Sequence, residues 1–243
     1  MTRLLNGIVA FGSVLLLAVT LIGAGFAAVA IPDAATATLS RAFSGCDQPN
    51  TPFTADELAS MAIAGKHYTF DDNDREKLDA AIAKANAAAE ADGRATASTR
   101  ESAARNLPAD AISHLDDVYR VASVAKPALV IVAMLCIAGL AHVAVRISRR
   151  ALGRTLMAGG GLVLAAFCAL GAWAAIDFDG LFAAFHSLFF QAGTWTFPYD
   201  SLLITLYPTA FWMGMGGIWL AVTCGLSILA VLIGFTLGHK QHD

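Results

Sequence analysis

Hydrophobic positions along this chain gather into four long runs, approximately Leu4–Ile31, Pro127–Ile147, Leu156–Ile176 and Pro208–Leu237. Each reaches the roughly 20 apolar residues that a helix needs to cross a hydrocarbon core at 1.5 Å rise per residue. The first run is far longer than the apolar stretch of about 7–15 residues in a secretory signal, so it reads as a retained span. Between the first two runs the pattern changes. Thr54 to Glu57 spell a capping box that opens a helix through about Ala64. After the polar Asp71–Asp74 stretch, Arg75–Asp92 is alanine-rich, with Leu78, Ile82 and Ala85 at helical spacing and Gly93 as its stop. Arg94–Asn106 reads as a polar loop. Pro108 opens a third helix that runs into the second span, with Pro127 as a kink or a boundary at the junction.

These elements predict an all-α integral membrane protein with four transmembrane helices. Residues 1–31 form the first, 126–147 the second, 156–176 the third and 208–237 the fourth. Residues 32–125 form an extracytoplasmic helical segment leading into the second. A link covers 148–155, an interfacial helix with an aromatic loop covers 177–207, and a tail covers 238–243. Orientation follows from the basic residues. Arg146, Arg149, Arg150 and Arg154 crowd the link with no acidic neighbour, Arg3 precedes the first span, and Lys240 follows the last. Four spans place all of these on one side, so both termini and the arginine link are expected in the cytoplasm.

Composition agrees with this. The chain is 57% hydrophobic and 14% charged with a mean hydropathy of +0.61, against about 45–50% apolar and about 25% charged for a soluble domain. A net charge of −3 gives no case for a nucleic-acid partner. Cys46, Cys136, Cys168 and Cys224 are widely separated, and no CxxC pair suggests a disulfide framework or a zinc cage.

Two of the six histidines stand out. His239 and His242 sit at the tail, His67 lies between outer helices in a loop or surface setting, and His142 lies near the inner end of the second span. His114 lies on the helix that feeds the second span, and helical spacing puts Asp110 and Asp117 on its face but not Asp116. A carboxylate so placed can fix an imidazole's tautomer; a surface His–Asp pair has the same spacing. His186 lies in the apolar run Gly180–Phe190, too short to span a bilayer, capped by Asp179 and ended by Gly193, hence a short re-entrant or interfacial helix. Phe182, Phe189 and Phe190 share its face. Desolvation there lowers an imidazole's pKa and keeps it neutral, although a hydrogen-bonded histidine at headgroup level fits the same pattern. Trp195, Phe197, Tyr199, Tyr207, Phe211 and Trp212 form an aromatic belt near the start of the fourth span, with Asp200 a turn residue or a partner for a polar headgroup. The topology puts both histidines on the outer side.

The block His114 to Val118, the block Phe185 to Phe190, and the segments Thr194–Phe197 and Leu206–Trp212 together resemble the bacterial lipoprotein intramolecular transacylase (Lit) family. The order of spans and the spacing of the two histidine blocks resemble it too. The alanine-rich outer segment and Thr209-Ala210, where the family often has an acidic residue after the proline, depart from it. The resemblance implies transfer of an acyl chain from the sn-2 ester of a diacylglyceryl group to the α-amino group of a lipoprotein's N-terminal cysteine. It implies a diacylated lipoprotein substrate and membrane lipid as partners, no cofactor and no metal, with His114 and His186 as the essential pair. In that reading His186 takes the amine proton, and His114, oriented by Asp117 with Asp110 in support, stabilises the oxyanion and protonates the leaving group; the reverse assignment is also open. Phe182, Phe189, Phe190, Trp195 and Asp200 are the candidate substrate and acyl-chain contacts. The competing expectations are a metal-dependent membrane lipid hydrolase and a non-enzymatic four-span accessory or sensor protein.

Overall fold

The computed structural model describes residues 2–48, 50–95 and 104–239, so Lys240, His242 and the centre of the expected polar loop lie outside the described residues. In chain order the helices are α1 (Thr2–Ala30), α2 (Asp33–Phe43), α3 (Ala55–Phe70), α4 (Arg75–Ala91), α5 (Ala109–His142), α6 (Arg149–Ile176), α7 (Phe178–Ser187), α8 (Leu202–Leu206) and α9 (Thr209–His239). Among the described residues α1, α5, α6 and α9 are long and apolar enough to cross a membrane. At 39 residues the α5 rod with its terminal π turn is nearly twice the length a bilayer core requires. Apart from Arg146 in that π turn, its charged residues, Asp110 through Lys126, all precede Pro127, so the span begins at about that proline. The helix continues through Pro127, and the expected boundary there is not a break.

The chain divides into two compact units. One comprises residues 1–28, 125–177 and 218–243; the other comprises residues 29–124 and 178–217.

The membrane-helix unit packs small and medium side chains rather than a large core. Leu17, Ala18, Leu21, Cys136, Val163, Phe167 and Ala230 form its buried cluster. Helices α6 and α9 approach backbone to backbone: a Cβ at Gly153 would meet the Gly234 carbonyl oxygen at 2.5 Å, and one at Gly160 would meet that of Ser227 at 2.6 Å. Van der Waals packing of this kind replaces hydrophobic driving force in lipid. His142 pairs with Asn6 of α1 at 3.2 Å, so it is a bundle-facing polar residue with a partner. The link expected over 148–155 is much shorter. A π turn over Val143–Ile147 is followed by Ser148, whose hydroxyl accepts from the Ala151 amide, and α6 begins at once. Arg149, Arg150 and Arg154 therefore belong to a helix.

The second unit has a conventional core of Phe53, Leu58, Met61, Leu78, Ile82, Leu107, Ala111, Ile112, Leu115, Leu202 and Leu206. The capping box forms as expected, Thr54 accepting from the Glu57 amide while Glu57 accepts from that of Thr54. Glu57 also takes a two-pronged hydrogen bond from Arg94 at 2.9 and 2.8 Å, which ties the end of α4 to the start of α3. Helix α3 continues to Phe70, a turn and a half beyond Ala64, so His67 is helical and pairs with Asp33 and Asp71. Helix α2 lies within the stretch before Thr54, where the sequence reading placed none. Its anchor is the buried Lys66, which donates to the Ile31 carbonyl at 2.9 Å and pairs with Asp33 at 2.5 Å. Gly93 ends α4 with a φ of +67°, as expected. Tyr68 donates to Asp116 at 2.5 Å and Asn73 donates to the same oxygen at 3.3 Å, so α5 is pinned to α3 through the carboxylate that faces away from His114.

Candidate active site

Helix α5 carries His114 in its second turn and α7 carries His186 in its last. These residues, 72 positions apart in sequence, come together within one unit: their ring centroids are 6.2 Å apart and their planes 29° from parallel. Aromatic side chains surround them. Phe190 lies 4.9 Å from His114 and 5.7 Å from His186, touching both. Phe197 lies 5.6 Å from His114. Phe182 stacks 4.0 Å from His186 and Trp195 lies 4.9 Å from it, with Trp212 packed behind Phe182 at 5.9 Å.

The hydrogen bonds fix what each ring can do. His186 Nδ1 lies 2.9 Å from the Phe182 carbonyl oxygen. An oxygen acceptor there requires Nδ1 to carry the proton, which leaves Nε2 with a lone pair: the tautomer of a base. His114 is only 8% exposed, and its Nδ1 is buried without a hydrogen-bond partner among the described residues; the indole Nε1 of Trp195 is in the same condition. Burial pushes the His114 imidazole down to about 4, with repulsion from His186 adding to the effect and Asp117 opposing it weakly. Burial also lowers His186, against the opposing effect of its bond to Phe182. Both rings are therefore neutral at pH 7.

Two expected supports are placed differently. Asp117 pairs with Arg120 at 2.7 Å, one turn further along α5, because a guanidinium three residues away outcompetes a neutral imidazole for a carboxylate. Asp110 accepts from the Ala111 amide at the start of α5. Neither holds His114. Helix α7 ends at Ser187, before Gly193, and the amides of Phe189 and Phe190 both turn back to the His186 carbonyl. This turn keeps Phe190 on the histidines but sends Phe189 against Phe185 at 5.2 Å, where it is half exposed. Asp200 is exposed in the turn before α8. The Ser187 hydroxyl donates to the Ala184 carbonyl. Phe197, which the sequence places in the belt and in the Thr194–Phe197 segment but not among the site contacts, is a neighbour of His114; an aromatic between Thr196 and Pro198 gives no sign of that by itself. Among the described residues no group of three His, Cys, Asp or Glu side chains is arranged to hold a metal ion.

Four apolar helices and a desolvated pair of histidines define a multi-pass helical membrane protein with two imidazoles in an aromatic shell. Residues 92–212 match the sequence model of the lipoprotein intramolecular transacylase Lit family, and the chain belongs to that family; it is an enzyme of the lipoprotein intramolecular transacylase type. Solved structures of similar fold include the membrane integral lipoprotein intramolecular transacylase Lit from Bacillus cereus, 17% identical over 98% of this chain and 97% of that one, with a TM-score of 0.74. Variants of that protein with one histidine replaced by arginine or alanine are also similar, at 17% and 16% identity, 99% coverage of this chain, 95% and 96% of theirs, and TM-scores of 0.68 and 0.70. No curated protein sequence matches.

Proposed function

We propose that His114 and His186 catalyse the transfer of an acyl chain from the sn-2 ester of a lipoprotein's diacylglyceryl group to the α-amino group of its N-terminal cysteine. The observation that supports this most is the convergence of two neutral imidazoles, one with an unpartnered buried nitrogen, in an apolar shell suited to acyl chains. Ester and amine belong to one molecule, so no carrier is required, and well-oriented intramolecular reactions reach effective molarities on the order of 10⁵–10⁸ M. A free α-amine has a pKa of about 7.7–8.0, within reach of a neutral imidazole base.

In this reading His186 Nε2 takes a proton from the amine as its nitrogen bonds to the ester carbonyl carbon. His114 remains neutral and donates an N–H hydrogen bond to the oxyanion. A ring held at about pKa 4 is a poor carrier of a proton at pH 7 but a good fixed donor, and a neutral histidine serves as electrophile in other enzymes by the same logic. When the tetrahedral intermediate collapses, the carbon–oxygen bond to glycerol breaks and the His186 imidazolium returns its proton to that oxygen. One proton has moved from nitrogen to oxygen, and the product has the mass of the substrate.

Phe182, Phe190, Trp195 and Phe197 would line the acyl-chain path. Phe189 and Asp200 would meet lipid or the substrate's polar portion further out. The arginine-rich turn and both termini are assigned to the cytoplasm by the positive-inside rule, which puts the histidine pair at the outer face.

The test is mass spectrometry of N-terminal lipopeptides from a host that makes diacylated lipoproteins, with and without this protein. Movement of one acyl chain onto the amine at constant mass is expected. Loss of a chain would mean hydrolysis instead, and identical lipopeptides would overturn the proposal.

A further inference from the structure

The membrane-helix unit has a second polar place, far along α6 from the residues that precede α7. Arg150, Arg154 and Met157 of α6 and Phe235, Gly238 and His239 of α9 line an open cavity of about 270 Å³. The two arginines are one helical turn apart and share a face. The glycines that let α6 and α9 touch, Gly153 and Gly234, lie between them and fix the facing residues at close range. His239 is held in place, its Nδ1 3.1 Å from the Phe235 carbonyl and its ring tilted against the Phe235 ring at 4.0 Å.

Among the described residues nothing compensates the charge of this end. No Asp or Glu occurs from residue 118 to 176 or from 201 to 242. Among the described residues of this unit the one carboxylate side chain is Asp177, at the opposite end of α6, roughly 40 Å from Arg150 at 1.5 Å per residue. None of the ion pairs among the described residues involves Arg146, Arg149, Arg150 or Arg154. Two guanidiniums with planar donor forks, paired with no carboxylate of the described residues, match a phosphate group. Met157 and Phe235 give the same cavity apolar walls, at the end of two helices built to cross a membrane. A soluble phosphate has no use for those walls, whereas a phospholipid, with its charge next to its acyl chains, uses both.

We propose that this cavity binds the phosphodiester headgroup of an anionic phospholipid in the leaflet on the arginine-rich side. It is separate from the acyl-transfer site and does not depend on that reading. Bound lipid would fasten α6 to α9 at their shared end.

The experiment is native mass spectrometry of the full-length protein released from nanodiscs containing equal phosphatidylglycerol and phosphatidylcholine. Preferential retention of phosphatidylglycerol is expected. Each basic residue near a membrane contributes roughly a fivefold preference for anionic lipid, so the Arg150→Gln/Arg154→Gln double variant should retain it about thirtyfold less. Arg146→Gln, on the same basic stretch but outside the cavity, should cost no more than the roughly fivefold of one basic charge near the surface. In detergent, added phosphatidylglycerol should raise the unfolding temperature of the wild type and not of the double variant. Equal retention of the two lipids by the wild type would overturn the proposal. So would an equal loss with Arg146→Gln, which indicates a diffuse field, or full displacement of the lipid by millimolar inorganic phosphate, which makes a soluble anion the occupant.

Discussion

Replacing His114 with leucine should make the protein more stable and nearly inactive. The ring is 8% exposed, its Nδ1 has no partner among the described residues, and Phe190 and Phe197 pack against it. A buried polar atom left unpaired costs about 1–3 kcal/mol. Leucine is close to histidine in volume, and repacking of that kind costs less than about 1.5 kcal/mol. The expected balance is a gain of about 1 kcal/mol, or roughly 2–4 °C in unfolding temperature for a chain of this size. The loss of a hydrogen-bond donor to the oxyanion should lower the single-turnover rate on a synthetic diacylated lipopeptide by about 10²–10³. Thermal unfolding in detergent and mass-spectrometric conversion give the two readouts. The variant should also lose a pH dependence. A folded-state pKa of about 4 lies below the unfolded value, so between pH 6.5 and 4 the unfolded chain binds a proton that the folded chain refuses, and wild-type stability falls as pH falls through that window. Destabilisation by more than about 2 kcal/mol, or conversion at the wild-type rate, would refute the reasoning.

Other outcomes follow from the same geometry. Asp117→Asn should leave the transfer rate within about twofold of wild type, a smaller change than one hydrogen bond, because its partner is Arg120; a hundredfold loss would restore it as the orienting group. The pH–rate profile should rise with a single acid limb near the amine's pKa of about 7.7–8.0, since both imidazoles are already neutral there; a further limb near 6.5 would show a solvated histidine. Gly153→Val should lower the unfolding temperature by several degrees, because forcing a side chain into packed backbone costs about 1–3 kcal/mol; an unchanged value would mean that α6 and α9 do not meet at this point.

Much of this molecule can be read from its pattern of apolar residues. The four spans are evident because a bilayer demands length and leaves no alternative to a helix, and the Thr54 capping box works from local sequence alone. What failed did so where two local rules compete. Asp117 has a suitable neighbour three residues on either side, and spacing does not say that Arg120 prevails over His114. Phe189 and Phe190 both satisfy helical spacing from His186, but α7 ends at Ser187 and the turn keeps one and turns the other away. Helix α2 buries Thr36, Leu39 and Ser40 at helical spacing, but two of the three are polar, and it is held by Lys66 from a different helix, a contact invisible in its own residues. The meeting of His114 with His186 is a tertiary event that the chemistry of the two segments suggested and the family resemblance sharpened.

The central claim is that this histidine pair moves an acyl chain from oxygen to nitrogen. It is tested most directly by supplying purified wild-type and His186→Ala proteins, matched in unfolding temperature, with a lipopeptide labelled in its sn-2 acyl chain and following where the label goes. The account predicts that wild-type protein carries the label onto the cysteine amine and that the variant does so about 10²–10⁴ times more slowly. Equal transfer by both proteins would contradict it.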